Sequence, residues 1–234
     1  MSTESLPTAA PTAVAWRAPL QSVAGIGTAA TAAMMLAVTL SIAGTAQAWM
    51  GYSFVSDAES GEPVTLAQAN RIDLFGTVAA VGWRVALLVA AILVIVWLWR
   101  TRSNAEQLSP APHRRHRGWI IGGWICPIVN LWFPKQIVDD VWRASDPAMP
   151  PVRLNIDAMP RPGLGYAWWT CLLAWQVIDR ILSRMYRDDT PSLDQLRLAA
   201  RLETASTALC LLSGLALGLI IHRVSGWQTR GQPG

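Results

Sequence analysis

Charge is scarce in this chain: Asp, Glu, Lys and Arg make up 15% of its 234 residues, where a soluble domain carries about 25%. So low a share excludes an ordinary soluble domain. Lysine is nearly missing, with Lys135 the sole example, so the formal charge of +4 rests on arginine. The arginines flank apolar stretches and form no stripe on a soluble unit. That argues against nucleic acid as a partner and for anchoring at a bilayer interface. Cysteine is confined to Cys126, Cys171 and Cys210, each in a different apolar segment and none in a Cys-x-x-Cys. No disulfide framework or zinc site follows from that spacing, and each thiol serves as a small apolar group. Catalytic constellations are missing too. The acidic pairs are Asp139-Asp140 and Asp188-Asp189, and neighbours on a helix point about 100° apart and do not converge. No catalytic, cofactor-binding or metal-binding residue is assigned.

Long uncharged runs are what the chain does have. A spanning helix needs about 20 predominantly apolar residues. No charge occurs between Arg17 and Asp57, and Arg84 alone interrupts the stretch from Asp73 to Arg100. Further runs extend from Arg161 to Asp179 and from Glu203 to Arg223. These runs define an all-α integral membrane protein with about four transmembrane helices, over 20–49, 72–99, 163–186 and 191–224. A broken or re-entrant apolar segment (118–133) and an interfacial amphipathic helix (134–145) complete a single membrane domain, 20–226. A disordered cytoplasmic tail (1–19) precedes it and a C-terminal tail (227–234) follows. Ala46-Gln47-Ala48 matches a signal-peptidase pattern, but the long polar start and the length of the apolar run favour a retained first span.

Arg84 falls near mid-membrane in the second span. A charge there costs several kcal/mol unless it pairs or meets water, so it should face the bundle, with Asp179 and Glu203 as candidate partners. The second span closes in Val96-Trp97-Leu98-Trp99-Arg100, an aromatic belt and then charge. The basic stretch from Arg100 to Arg117, with His113 and His116, reads as a solvated cytoplasmic loop along the headgroups.

Gly118 to Phe133, GWIIGGWICPIVNLWF, is uncharged but short for a span. Gly122 and Gly123 weaken a helix, Pro127 removes a backbone hydrogen bond, and Asn130 brings an amide into apolar surroundings. Irregular backbone at membrane depth persists only where protein or water satisfies it, so this element should be half-inserted and packed against the spans. Pro134 suits a new helix start. In 134–145, Ile137, Val138, Val141 and Trp142 share one face, and Asp139 and Arg143 form an i, i+4 pair. The helix therefore reads as interfacial and as a candidate docking surface. Thr190 and Pro191 read as N-cap and first residue of the last helix. Gly214 and Gly218 form a G-x-x-x-G, a contact face within the bundle or in a homo-oligomer. Basic residues favour the cytoplasmic side by 12 to 6 with four spans and by 11 to 7 if 118–133 crosses, nearly a tie between the two topologies. The length of 118–133 and Pro127 decide for four spans with both termini cytoplasmic.

A specific pattern runs through WLWRTRSNAEQL, then GWIIGGWICPIVNLWFPKQIVDDVWRAS, then Trp168-Trp169. Its elements are Arg100 and Asn104-Ala105, Gly123-Trp124, Pro127, Asn130-Leu131-Trp132, Pro134 and Trp142-Arg143-Ala144-Ser145. From about Leu74 to Val224 the chain resembles the bacterial, largely actinobacterial, membrane-protein family catalogued as domain of unknown function 4328. The resemblance implies a multi-pass plasma-membrane protein and brings no activity with it. Arg84, Arg100, Asn104, Trp124, Pro127, Asn130, Trp132, Pro134, Trp142 and Asp179 are the candidate functional or structural residues.

Three functions compete. The first is a non-enzymatic interaction or scaffold protein of the cell envelope that docks a protein partner through 134–145. The second is a small transporter or channel with its site near 118–133, since broken helices with polar groups build many transport sites; no inverted repeat accompanies it. The third is a membrane enzyme. The lipid bilayer is the partner common to all three.

Overall fold

A computed structural model describes residues 19–109, 112–148, 160, 162–187 and 190–230. The expectations for tail residues 1–18 and 231–234, for most of the 146–162 loop with Arg153 and Arg161, and for Asp188-Asp189 lie outside these residues. The described residues are all-helical: α1 (Ala24–Glu59), α2 (Leu66–Leu108), α3 (Trp119–Ile125), a 3-10 turn (Val129–Leu131), α4 (Phe133–Ser145), α5 (Gly163–Met185) and α6 (Leu193–Arg230).

Four long helices run side by side. Contacts between residues far apart in sequence give their directions. Gln21 bonds Asn104, and a Cβ on Gly27 would stand 3.3 Å from the Trp97 ring, while Gly82 faces Leu40 and Gly76 faces Gln47. Hence α1 and α2 are antiparallel. Gly218 against Thr31 and Gly214 against Met35 make α6 antiparallel to α1. Ser213 bonds the Trp168 carbonyl and Tyr186 bonds Glu203, so α5 is antiparallel to α6. One end, the base, thus gathers the start of α1, the end of α2, all of α3 and α4, the start of α5 and the end of α6. The far end holds the α1–α2 and α5–α6 connections. The segment 118–133 leaves from the base and returns to it.

Small residues line the inner face of α1 and large ones its outside and that of α2 and α6, while Trp97, Trp168, Ile220 and Ile221 fill the core. Gly27, Ala30, Ala33 and Ala37 form the buried stripe of α1. Leu36, Val78, Val85, Leu88, Leu215 and Leu219 point outward and are more than half exposed or nearly so. Small residues let backbones approach where lipid, itself apolar, gives helices no hydrophobic reason to associate. The glycines of the G-x-x-x-G are such an approach: a Cβ on Gly214 or Gly218 would lie 3.1 Å from Met35 or 3.3 Å from Thr31. That pair is consumed inside the chain, which removes Gly214/Gly218 as a homo-oligomer face.

α1, α2 and α6 are long and apolar enough to cross a membrane. The expected span at 163–186 forms α5, packed along α6, but it is not among those three; Gln176, Asp179, Arg180 and Arg184 dilute it. α2 begins earlier than expected because Thr65 and Gln68 form a reciprocal capping box. α6 starts at Leu193, where the Ser192 hydroxyl accepts from the Gln195 N–H (3.3 Å) and the Gln195 side chain accepts from the Ser192 N–H (2.7 Å). The cap is therefore Ser192, two residues beyond Thr190. Helix α6 also continues to Arg230, so Trp227 to Arg230 belong to the bundle and not to a tail.

The interfacial-helix expectation for 134–145 is overturned. Phe133, Pro134 and every residue from Ile137 to Ser145 are buried. Helix α4 is enclosed by α2, α3, α5 and α6. Ile137 is 1% and Trp142 8% exposed, so neither presents a docking surface. The periodicity was real, but the polar face looks into charged protein groups instead of water.

Candidate functional site

The polar residues gather in two places, the base and the far end. At the base, the Asn104 side-chain amide sits at the centre. Its Nδ2 donates to the Gln21 carbonyl (2.8 Å) and to Gln228 Oε1 (2.9 Å), and its Oδ1 accepts from the Gln21 N–H (2.8 Å). Gln228 Nε2 in turn donates to the Thr101 carbonyl (2.9 Å) and the Ser145 hydroxyl (2.8 Å). Asn104 and Gln228 are fully buried. Two side-chain amides thereby tie the segment that leads into α1 to α2, α4 and α6, with the buried Trp97 indole donating to Ser225 (3.0 Å) beside them. Buried networks of this kind are high-stakes, since each unsatisfied member costs its full desolvation.

The basic stretch after α2 folds onto α4. Arg114 donates from Nε to Asp140 Oδ1 (2.8 Å) and from its backbone N–H to Oδ2 (3.0 Å). Arg115 donates to Gln136 (2.9 Å) and stacks over Phe133 (3.9 Å). Arg102 and Arg117 both bond Glu106. Lys135 pairs with Asp139 (2.6 Å) and stands over the Tyr166 ring (3.7 Å). The expectation of a solvated basic loop is therefore corrected: these arginines neutralise a buried acidic face. Asp140 is fully buried and Asp139 nearly so, and burial pushes the Asp139 carboxyl above the usual carboxylate range against the pull of Lys135. Burial, together with the Arg102 charge, lowers His113 to about 4, so it is neutral at pH 7. Among the described residues, no three His, Cys, Asp or Glu side chains are grouped to hold a metal ion.

The motif residues divide between structural tasks. α3 stops at Cys126, just before Pro127, and the 3-10 turn that follows has its Leu131 carbonyl bonded by the Trp169 indole (2.9 Å). Trp132 caps α4, with Pro134 in its first turn. Trp124 meets Trp169 edge-on, and Trp142 meets Trp227 edge-on at 4.8 Å. Arg100 reaches the Ser22 carbonyl (3.1 Å). Asn130 bonds through its backbone, while its side-chain oxygen is buried without a partner in the structure. Ile121, Ile125, Ile128 and Leu131 face outward from α3 and this turn.

The far end is different. Arg84, Asp179, Glu203, Tyr186 and Gln47 line one cavity of about 420 Å3, with Ser41, Ser206 and Thr207. Arg84 acts on Asp179 through space. Glu203 accepts from the Tyr186 hydroxyl (3.0 Å). Trp83 also lines the cavity, and its indole N–H is buried without a partner in the structure. Arg84 is therefore brought together with both acids proposed for it, but not with Asn130, which lines neither this cavity nor its apolar neighbour. Its depth also needs correcting. The stretch from Arg84 to Arg100 spans about 24 Å of a core about 30 Å thick, which puts Arg84 near the far boundary.

Gln21, Gln47, Tyr186 and Gln228 escaped the sequence reading. Gln228 is buried, Gln47 half-buried, and Gln21 and Tyr186 exposed, and no local pattern marks any of them as part of a polar cluster.

A bundle that is all-helical in its described residues, with three helices long and apolar enough to cross a membrane, defines an integral membrane protein of the all-α class. The sequence profile of the family described as Domain of unknown function (DUF4328) matches residues 61–226, and the chain belongs to that family. Comparison with curated proteins and with solved structures gave no match.

Proposed function

We propose that the chain is a non-enzymatic binding protein of the plasma membrane. Its working site is the far-end cavity, its base is closed, and its N-terminus is cytoplasmic. One observation carries this reading: opposite charges line a cavity at one end, while at the other Arg114 pairs with Asp140, Lys135 with Asp139, and Arg102 and Arg117 with Glu106. Arg100, Arg102, Arg114, Arg115, Arg117, Lys135 and Arg223 lie at the base, the pattern of a cytoplasmic face. The cavity then opens outward. Helix α4 and the Asn104–Gln228 network plug the cytoplasmic end, which favours a one-sided pocket over a pore. Burial of Ile137 and Trp142 removes the surface on which the scaffold reading rested.

The test is thiol accessibility. Cys126, Cys171 and Cys210 are replaced by alanine, and Ser183→Cys (cavity) or Ser145→Cys (base) is introduced. A membrane-impermeant maleimide applied to whole cells should label Ser183→Cys and leave Ser145→Cys unlabelled. Absence of label at Ser183→Cys, or a potassium leak in liposomes carrying the chain, would overturn the reading.

A further inference from the structure

The polar cavity has an apolar neighbour. A pocket of about 190 Å3 lies between α1, α2, α5 and α6, lined by Met34, Leu87, Val94, Trp124 and Leu172 among others. Trp175 lines both cavities. Leu87 and Val94 follow Arg84 on α2 and lie about 5–15 Å deeper at 1.5 Å per residue. From the far boundary inward the order is thus charge, then indole, then hydrocarbon. That order matches an amphiphile lying along the bilayer normal with its head at the surface. A water-soluble solute would leave the apolar pocket unfilled.

The head chemistry follows from the charges. Arg84 offers a planar fork of donors suited to phosphate. Asp179 and Glu203 offer carboxylates, acceptors that a primary ammonium satisfies with N–H donors. The Trp83 indole supplies a further donor. A purely anionic head would face two carboxylates, and a purely cationic one would face Arg84. A quaternary amine has no N–H to give.

We propose that the two cavities together hold one membrane lipid, its phosphate at Arg84, its primary amine at Asp179 and Glu203, and one acyl chain entering the apolar pocket. This rests on reading the far-end cavity as the working site. The test uses the full chain in nanodiscs of equal parts phosphatidylethanolamine, phosphatidylcholine and phosphatidylglycerol, released into native mass spectrometry. The expected result is one retained phosphatidylethanolamine per chain, favoured about tenfold over the other two lipids. Glu203→Gln should abolish that preference, and Arg84→Met, which removes the partner of the phosphate that all three lipids share, should lower retention of all three. Cys210→Phe, which fills the apolar pocket, should lower retention of all three lipids. Equal retention of the three, a preference untouched by Glu203→Gln, or a total retention untouched by Arg84→Met would overturn the inference. Displacement by millimolar soluble phosphoethanolamine would overturn it as well, because a free solute would then suffice. If Ser183→Cys labels but no lipid is selected, the lipid assignment fails alone. If Ser183→Cys does not label, the cavity reading fails with it.

Discussion

The base and the far end of the bundle contain similar side chains put to opposite uses. At the base, Arg114 and Asp140 and Lys135 and Asp139 are in direct contact, at 2.6 Å in each pair. At the far end, Arg84 and Asp179 share a cavity and feel each other's charge across it. A charge consumed by its neighbour contributes to architecture. A charge facing open space has attraction left for something else. In a membrane protein the count of intramembrane charges is therefore less informative than whether they touch.

Several measurements would break or sharpen this contrast. The largest effect is expected from Asp140→Ala, which strands Arg114 beside a buried void. Removing one partner of a buried pair costs about 3–5 kcal/mol, so the folded chain should be lost from mild detergent, as followed by size-exclusion chromatography and thermal unfolding. Acid comes next. His113 has a folded value lowered to about 4 from an unfolded value near 6.5. Its contribution is complete above pH 6.5 and is lost as pH falls through about 4, because only the unfolded chain takes up the proton in that window. The loss is on the order of 3 kcal/mol. His113→Leu should remove that part of the acid sensitivity, and an unchanged difference between the two chains across the window would contradict it.

Smaller effects discriminate finer features. Asn104→Ala and Gln228→Ala should each cost about 1–3 kcal/mol for the amide left unsatisfied. The double variant should cost clearly less than their sum, since the two act as one network. Additive costs would separate them. Gly165→Ala should lose about 1–3 kcal/mol to overpacking, because its Cβ would stand 2.6 Å from Asp139 Oδ1. The smallest effect belongs to the far end: Arg84→Met should leave the unfolding temperature nearly unchanged, within about 0.5 kcal/mol. A large loss there would make Arg84 architectural and erase the contrast.

Much of the fold was legible because lipid imposes it. Uncharged runs long enough to span located α1, α2 and α6, and Pro127 correctly marked where α3 breaks. Helix α4 was legible as a helix and illegible in place. A period of 3.6 residues reports that two faces differ, and it cannot report whether the polar one meets water or Arg114. The candidate site was half legible. Arg84 announced itself by cost, and its acids by position, but Gln228 sits in a polar C-terminal stretch where no local pattern separates a buried amide from a solvated one. The Ser192 cap was displaced by two residues because Thr190-Pro191 and Ser192-x-x-Gln195 are both good helix starts, and only the second closes a reciprocal pair of bonds.

The Asn104–Gln228 bond joins residues separated by 124 positions in the chain. At about 5–20 residues per second, a ribosome needs about 6–25 s to travel from one to the other. Throughout that interval the Asn104 amide lacks its bond to Gln228. The last turn of the last helix is thus a completion mark: membrane quality control would meet an open amide in every chain that stalls before it, and a sealed one in every chain that finishes.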